Sequence, residues 1–237
     1  MPKKDVHDRP GRILTAAAQL IAHHGYDKVT VSDIAHRAGI SKGAIYLHWS
    51  SKEKLFEALL IHEMKRLIDD LLKRVEADPK GGTIARMYLH ALLALQDNAV
   101  MRALYTRDSR VLGDYIRRQN PTRYTQRFLF GKDFVREMQL VGLIRNDLSS
   151  DVIAYLMSVM SYGFTSIETI IPAKEAPPLD EVAAAFSDLI QRAFAQKGGN
   201  SQEGKRALDR LADAVNQQYE VITKSMNTAT DRKENKK

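Results

Sequence analysis

The sequence predicts an all-α fold, and three observations lead there. Apolar residues recur at i, i+3, i+4 spacing in almost every segment. Glycine, proline and capping residues fall between those segments, and no stretch shows a convincing strand pattern. Taken in order, Pro10 suits a first helical turn, and Ile13, Leu14, Ala17, Leu20 and Ile21 line one helix face until Gly25 stops it. Thr30 is a good N-cap for a short second helix through Ile34 and Ala35 to Ala38. Asp33 stands three residues on in a capping-box position, and Gly39 ends the helix. Ser41 caps a third helix expected from Lys42 to about Trp49. Ser50 followed by Glu53 repeats the capping pattern and opens a long fourth helix. Its doublets Leu55/Phe56, Leu59/Leu60, Leu67/Ile68 and Leu71/Leu72 keep one stripe buried for about six turns.

Asp78-Pro79-Lys80-Gly81-Gly82 is a clear break. Helical patterns follow at about 83–96, 98–107, 110–118 and 122–142, with Pro121 marking one boundary. The pattern over 151–171 carries Tyr155, Leu156, Val159, Met160, Gly163, Phe164 and Ile167 on one side. After a linker holding Pro172, Pro177 and Pro178, the pattern over 179–196 carries Val182, Phe186, Leu189, Ile190 and Phe194. Gly198-Gly199-Asn200 then detaches a last amphipathic helix over 201–226, with Leu208, Leu211, Val215 and Ile222 at heptad-like spacing. Residues 227–237 are expected to form a frayed, disordered tail.

Charge is unevenly spread. The net charge is +7; residues 1–52 hold eight Lys/Arg against four Asp/Glu, 53–199 twenty against nineteen, and 200–237 eight against six. The expected domains are 1–52, 53–199 and 200–237, and the positive excess on the smallest globular piece is what a phosphate-binding module shows. A composition of 44% hydrophobic and 27% charged residues is that of an ordinary globular chain.

Several function classes drop out. The sequence has no cysteine, which excludes disulfide scaffolds, zinc ribbons and thiol catalysis and fits a reducing cytoplasm. No apolar run approaches the ~18 residues of a membrane span. Met1-Pro2-Lys3-Lys4-Asp5 leads into polar residues, so no signal peptide is expected. His62-Glu63 lacks a second histidine at zincin spacing, and no Gly-rich phosphate loop or Gly-x-Ser-x-Gly elbow occurs. No enzymatic activity, metal site or cofactor is expected.

The informative block runs from Thr30 to Leu55. Two short helices separated by Gly39-Ile40-Ser41 have the size of a helix-turn-helix. Ala35 is small enough for close helix approach, Gly39 supplies the turn, and Ile45 plugs the angle between the helices. Ser41 and Lys42 stand at the third helix's N-terminus, where free N–H groups attract a phosphate. Gly43 costs about 1 kcal/mol of helix propensity relative to Ala, a loss that close backbone approach to a groove would explain. Tyr46, His48 and Lys52 add hydroxyl, imidazole and ammonium donors, while Trp49 reads as a packing residue.

This block resembles the DNA-binding domain of the tetracycline-repressor (TetR) family of bacterial transcription regulators. The residues that carry the resemblance are Thr30-Val31, Ile34-Ala35, Ala38-Gly39-Ile40-Ser41-Lys42-Gly43, Tyr46, His48, Trp49, Ser51-Lys52-Glu53 and Leu55, with Trp49 where the family has Phe. It covers about residues 10–60; beyond them the likeness is architectural. The resemblance implies that Thr30, Lys42, Tyr46, His48 and Lys52 contact phosphates, and that Ser41, Gly43 and Ala44 lie against base edges. No Arg, Asn or Gln occurs from Ser41 to His48, so readout is expected to lean on apolar contacts, tyrosine and DNA shape.

The implied protein is a cytoplasmic, ligand-responsive regulator, a repressor in the first instance, that binds a palindromic operator in double-stranded DNA as a homodimer. Its architecture is a three-helix DNA-binding domain, a helical ligand-binding and dimerisation domain, and an extra C-terminal helix. Expected interface residues are Tyr155, Val159, Gly163, Ile167, Val182, Phe186, Leu189 and Ile190. Candidates for lining an effector pocket are Met87, Tyr88, Tyr105, Phe128, Phe134, Tyr155, Met157 and Tyr162. The effector is expected to be a largely apolar small molecule. Seven arginines within 102–127, against two aspartates, would suit an anionic one such as an acyl-CoA-like thioester. The alternatives are a helical sensor or interaction protein that does not bind DNA, and an activator with the same reading head.

Overall fold

The computed structural model describes the backbone over residues 9–118, 131–172 and 174–234. Its helices are α1 (Arg9–His24), α2 (Val31–Ala38), α3 (Lys42–Tyr46), α4 (Lys52–Ala77), α5 (Ile84–Asp97), α6 (Ala99–Thr106), α7 (Ser109–Arg118), α8 (Lys132–Leu140), α9 (Ser150–Ser166), α10 (Leu179–Phe194) and α11 (Ser201–Glu234). No strand forms among the described residues. An isolated antiparallel bridge joins Ile144 to Ala195. The fold is all-α, as the sequence predicts.

The chain divides into two compact units. The first comprises Met1–Arg66, Ala99–Asn120 and Val215–Lys237, the second Leu67–Asn98 and Pro121–Ala214. In the first, α1 packs on α2, α6 and α7, and α2 packs on α3. Its core draws Ile13, Ala17 and Ile21 from α1, Ile34 from α2, Ile45 from α3, Leu55, Phe56 and Leu59 from α4, and Leu104, Leu112 and Tyr115 from α6 and α7. Phe56 sits between Tyr26 and Tyr115, with ring centroids 4.7 and 4.6 Å away, within the range where aromatic pairs add to plain burial.

In the second unit α10 packs on α5, and α9 on α8 and α5. Tyr88 is fully buried, and its hydroxyl donates to the Met157 carbonyl at 2.9 Å and lies 2.8 Å from Ser161 Oγ. The hydroxyls of Ser161 and Thr165 donate to the carbonyls of Met157 and Ser161, each at 2.8 Å, so both enter the interior satisfied. The buried stripe of α9 is Ile153, Ala154, Met157, Ser161 and Thr165. Its opposite side is apolar and open to solvent, with Tyr155 71%, Val159 52% and Tyr162 51% exposed. The start of α11 docks on the same unit, because Gly204 has no Cβ, an atom that would stand 2.0 Å from the Gly82 carbonyl oxygen.

Element boundaries differ from expectation in several places. Regular α3 ends at Tyr46, not near Trp49, although Trp49 N–H still donates to the Ile45 carbonyl at 3.0 Å. The cap of α4 is Ser51, whose Oγ accepts from Lys54 N–H at 3.2 Å, not Ser50. The helix foreseen at 110–118 bends at Gly113 (φ 52°, ψ −140°). Of the pattern over 122–142, α8 accounts for Lys132–Leu140, and residues 122–130 lie outside the described residues. The pattern over 151–171 ends as an α-helix at Ser166 and continues as a 3₁₀ turn, Ile167–Thr169. The last helix runs on to Glu234 rather than fraying from 227. It meets no glycine or proline after Gly204, and alanine, lysine, arginine, glutamate and glutamine sustain it.

The turn between α4 and α5 is closed by Asp78. One carboxylate oxygen accepts from Arg86 Nε at 2.5 Å and His90 Nε2 at 2.8 Å, and the other from Lys80 N–H at 2.9 Å. Burial opposes ionisation of this carboxyl more than any single bond favours it. The bonds from His90, Arg86 and Lys80 together outweigh burial and hold it at about 2. A depressed carboxylate contributes stability above its ordinary value of 3.8, and that contribution is lost as the pH falls from there towards 2. Asp78→Asn is therefore expected to cost about 1–2 kcal/mol at pH 7 and progressively less below pH ~4, as measured by denaturant unfolding of both proteins across that range.

Candidate nucleic-acid interface

Local chemistry builds the α2–turn–α3 segment. Thr30 Oγ1 accepts from Asp33 N–H at 3.2 Å while Thr30 N–H donates to Asp33 Oδ2 at 2.8 Å, completing the capping box. These bonds from Thr30 draw the Asp33 carboxyl below its ordinary value, with His24 and His36 adding smaller pulls. At the other end Gly39 adopts φ 68°. Its N–H donates to the His36 carbonyl at 3.1 Å and the Ile40 N–H to the Ala35 carbonyl at 3.0 Å, the closing bonds of a left-handed helix cap. Ser41 then caps α3, accepting from Ala44 N–H at 3.2 Å.

The third helix is sharply two-sided. Ile45 is 1% exposed and Trp49 is buried beside it, which plugs α3 into the core. Ser41, Lys42, Gly43 and Tyr46 are all exposed on the other side, Ala44 is half-buried, and Lys42 Nζ lies 5.9 Å from the Tyr46 ring centroid. His48 is half-buried, with its ring 5.5 Å from that of Trp49. Thr30 is exposed at the start of α2. Leu47 is 78% exposed next to Tyr46.

Lys52 is placed differently from the rest. Its ammonium donates to the Tyr26 carbonyl at 2.5 Å and sits 4.1 Å from the centre of the Tyr26 ring. Burial pushes it below its ordinary value, against the opposing pull of Asp27 and Glu53. The neighbouring Asp27 carboxylate accepts the Asp114 N–H at 3.1 Å on each oxygen, beside the Gly113 bend, and Tyr26 N–H donates to the Val111 carbonyl at 2.8 Å. The loop between α1 and α2 is thus tied to both α4 and α7. Arg37 ties α2 to α1 through Gln19, with Nη2 donating at 3.0 Å.

The other predicted residues fall into separate places. Tyr155, Val159, Gly163, Ile167 and Leu189 are exposed, Val182 and Phe186 are half-buried, and Phe186 stacks on Tyr88 at 6.0 Å. Ile190 is 0% exposed because it points into its own unit, where α10 packs on α5, so it offers a partner nothing. Among the effector candidates, Met87, Tyr88, Phe134 and Met157 are buried in the second unit. Tyr105 belongs to the first unit, and Tyr155 and Tyr162 face solvent rather than an interior cavity. Phe128, Arg123 and Arg127 lie outside the described residues, as do the side chains of Arg117 and Arg118. Arg110 is paired with Asp108 at 2.7 Å.

Residues 13–59 match the model of bacterial regulatory proteins, tetR family. The chain is 33% identical over 102 residues to the HTH-type transcriptional repressor KstR2 of Rhodococcus jostii, covering 42% of this chain and 48% of that protein. It is 36% identical over 84 residues to the HTH-type transcriptional activator FasR of Mycolicibacterium smegmatis, covering 35% and 36%. The chain spans about half the length of the curated relatives it matches. In fold it is similar to the transcriptional regulator FadR of Bacillus subtilis, solved in complex with stearoyl-CoA. The TM-score is 0.54 at 17% identity, over 76% of this chain and 96% of that one.

The left-handed Gly39 has no atom within 4 Å of a would-be Cβ, so the strain of substitution there is purely backbone. Gly39→Ala is expected to lower stability by about 1 kcal/mol and Gly39→Asn by less, since asparagine tolerates this conformation. Chemical denaturation of the three proteins measures the order.

Proposed function

We propose that this chain, whose amino-terminal domain belongs to the tetR family of bacterial regulatory proteins, is a ligand-responsive transcription regulator that binds a palindromic operator as a homodimer. The observation that carries the reading is the two-sidedness of α3: Ile45 and Trp49 anchor it from behind while Ser41, Lys42, Gly43 and Tyr46 stand free in front. In this reading α3 enters the major groove. Lys42, Tyr46 and His48 hold phosphates, Thr30 joins them by turning its hydroxyl from Asp33 and Lys52 by exchanging the Tyr26 carbonyl for a phosphate, and Ser41, Gly43 and Ala44 approach the bases. Leu47 and Tyr46 supply the apolar contacts that a helix without Arg, Asn or Gln must use.

Dimerisation is supported by the exposed apolar side of α9, continued by Ile167 and by Leu189 of α10. Several large apolar side chains exposed on one helix mark an interaction surface, and a two-fold pair is what two half-sites require. The effector is proposed to be a largely apolar small molecule bound in the second unit, in keeping with the buried Met87, Tyr88, Phe134 and Met157. The stearoyl-CoA complex of FadR makes an acyl thioester the anionic version of that proposal. The division into a reading head, a sensing and pairing domain and a C-terminal extension is part of the same proposal, as is a cytoplasmic location. Among the described residues no helix is long and apolar enough to cross a membrane. We assign repression in the first instance. The similarity to FasR, named an activator, supports activation as the second reading, since the same head serves both.

Three outcomes are expected. Lys42→Ala and Tyr46→Ala each remove tight operator binding in a gel shift while leaving the thermal melt unchanged; normal binding by both would discard the assignment. Gly43→Ala stabilises the free protein by about 0.5–1 kcal/mol yet weakens DNA binding, a pair of opposite signs read by melting and gel shift together. Tyr155→Asp with Val159→Asp converts the dimer to a folded monomer in light scattering, and an unchanged dimer removes α9 from the interface.

A further inference from the structure

Outside the α3 surface, the first unit carries a groove of about 440 Å³ between the end of α1 and the outer side of α2. Its apolar lining is Leu20 and Val29, and four basic groups converge on it: His24, Lys28, His36 and Arg37. The carboxylate that lines it, Asp33, is already committed as the α2 cap, accepting from Thr30 N–H at 2.8 Å and Thr30 Oγ1–H at 2.7 Å. Arg37 donates to Gln19 Oε1 from Nε at 3.3 Å and Nη2 at 3.0 Å, which orients the guanidinium without neutralising it. Among the described residues no ion pair within 4.0 Å joins any of the four basic groups to a carboxylate, and the one charge they share the groove with is that of Asp33, on which His24 and His36 exert only minor pulls. Helix C-termini favour basic residues, which accounts for His24 on α1 and for His36 and Arg37 on α2. It does not account for Lys28 in the loop, nor for the convergence of all four on one concavity.

We infer that this groove is a binding site for a phosphate-type anion. A carboxylate would engage one or two of these donors. A phosphoryl group offers three outward oxygens to a guanidinium, an ammonium and two imidazoles, and the volume leaves room for the ester it belongs to. The phosphate has two sources. One is the backbone of bound DNA just outside the groove that α3 reads, since Asp33 links the site to Thr30 at the head of α2. The other is a free phosphorylated small molecule. The DNA source rests on the function proposed above; the free-anion source does not.

The test uses the full chain and the double variant Lys28→Gln/Arg37→Gln, whose changes are at exposed positions. Inorganic pyrophosphate is titrated while the imidazole resonances are followed by NMR. The expected result is a saturable shift confined to His24 and His36, at least tenfold weaker in the variant. In the second arm, the slope of log K against log salt is measured on duplex DNA. If the bound phosphate belongs to DNA, the variant's slope is shallower by about 0.9 per lost contact, whether or not pyrophosphate also binds. An unchanged slope with pyrophosphate binding lost assigns the site to a free anion. The inference is overturned if both slopes agree and either wild type shows no saturable shift or the variant shifts as wild type does. Failure of the chain to bind any DNA leaves the pyrophosphate arm to decide alone.

Discussion

The left-handed turn at Gly39 is the constraint on which the α2–turn–α3 segment depends. A five-residue helix cannot persist by itself, because nucleation costs more than so few backbone bonds return. What keeps α3 in place is the angle at which the chain leaves α2, fixed by the N–H groups of Gly39 and Ile40 closing on α2 carbonyls. That angle carries Ile45 and Trp49 into the core of the first unit. With those two side chains buried, helical geometry leaves Lys42, Gly43 and Tyr46 on the outside. The exposed face is therefore a consequence of the burial behind it, and its rigidity comes from packing rather than from helix propensity.

A second layer of order comes from the loop between α1 and α2. Tyr26 packs on Phe56, receives Lys52 on its ring face and carbonyl, and is bonded through its own N–H to Val111. Asp27 holds the bend of α7. A residue of α4 that the sequence motif assigns to DNA is thus occupied within the free protein, and its release would accompany phosphate binding. In the other unit, α9 keeps a narrow buried stripe whose hydroxyls are satisfied by its own carbonyls, and leaves a broader apolar side open. A helix that is apolar on two sides needs two neighbours.

The legible features were those set by residues close in the chain. The Thr30–Asp33 capping box, the stops at Gly25 and Gly39 and the Ser41 cap all involve bonds across five residues or fewer, and each stands where the spacing predicts. Harder features were decided from a distance. The Gly113 bend answers to Asp27, 87 residues from the bonded Asp114. Ser50 and Ser51 have the same capping chemistry, so spacing does not distinguish them, and it is Ser51 that accepts from Lys54 N–H. Periodicity marks both sides of α9 as apolar, so it could not tell which would be covered, and it admitted Ile190 to an interface that α10's packing on α5 denies it. Lys52 reads as a free cation until the Tyr26 carbonyl is seen beside it.

The account stands or falls on whether the outer side of α3 reads duplex DNA in two symmetry-related copies. Selection of bound sequences from a random double-stranded pool by the purified full chain, with no effector added, tests this most directly. The predicted result is enrichment of a palindrome whose half-sites are centred one helical turn apart or a multiple of it, about 34–36 Å or its multiples. A pool that remains random after repeated rounds, or a motif without two-fold symmetry, would contradict it.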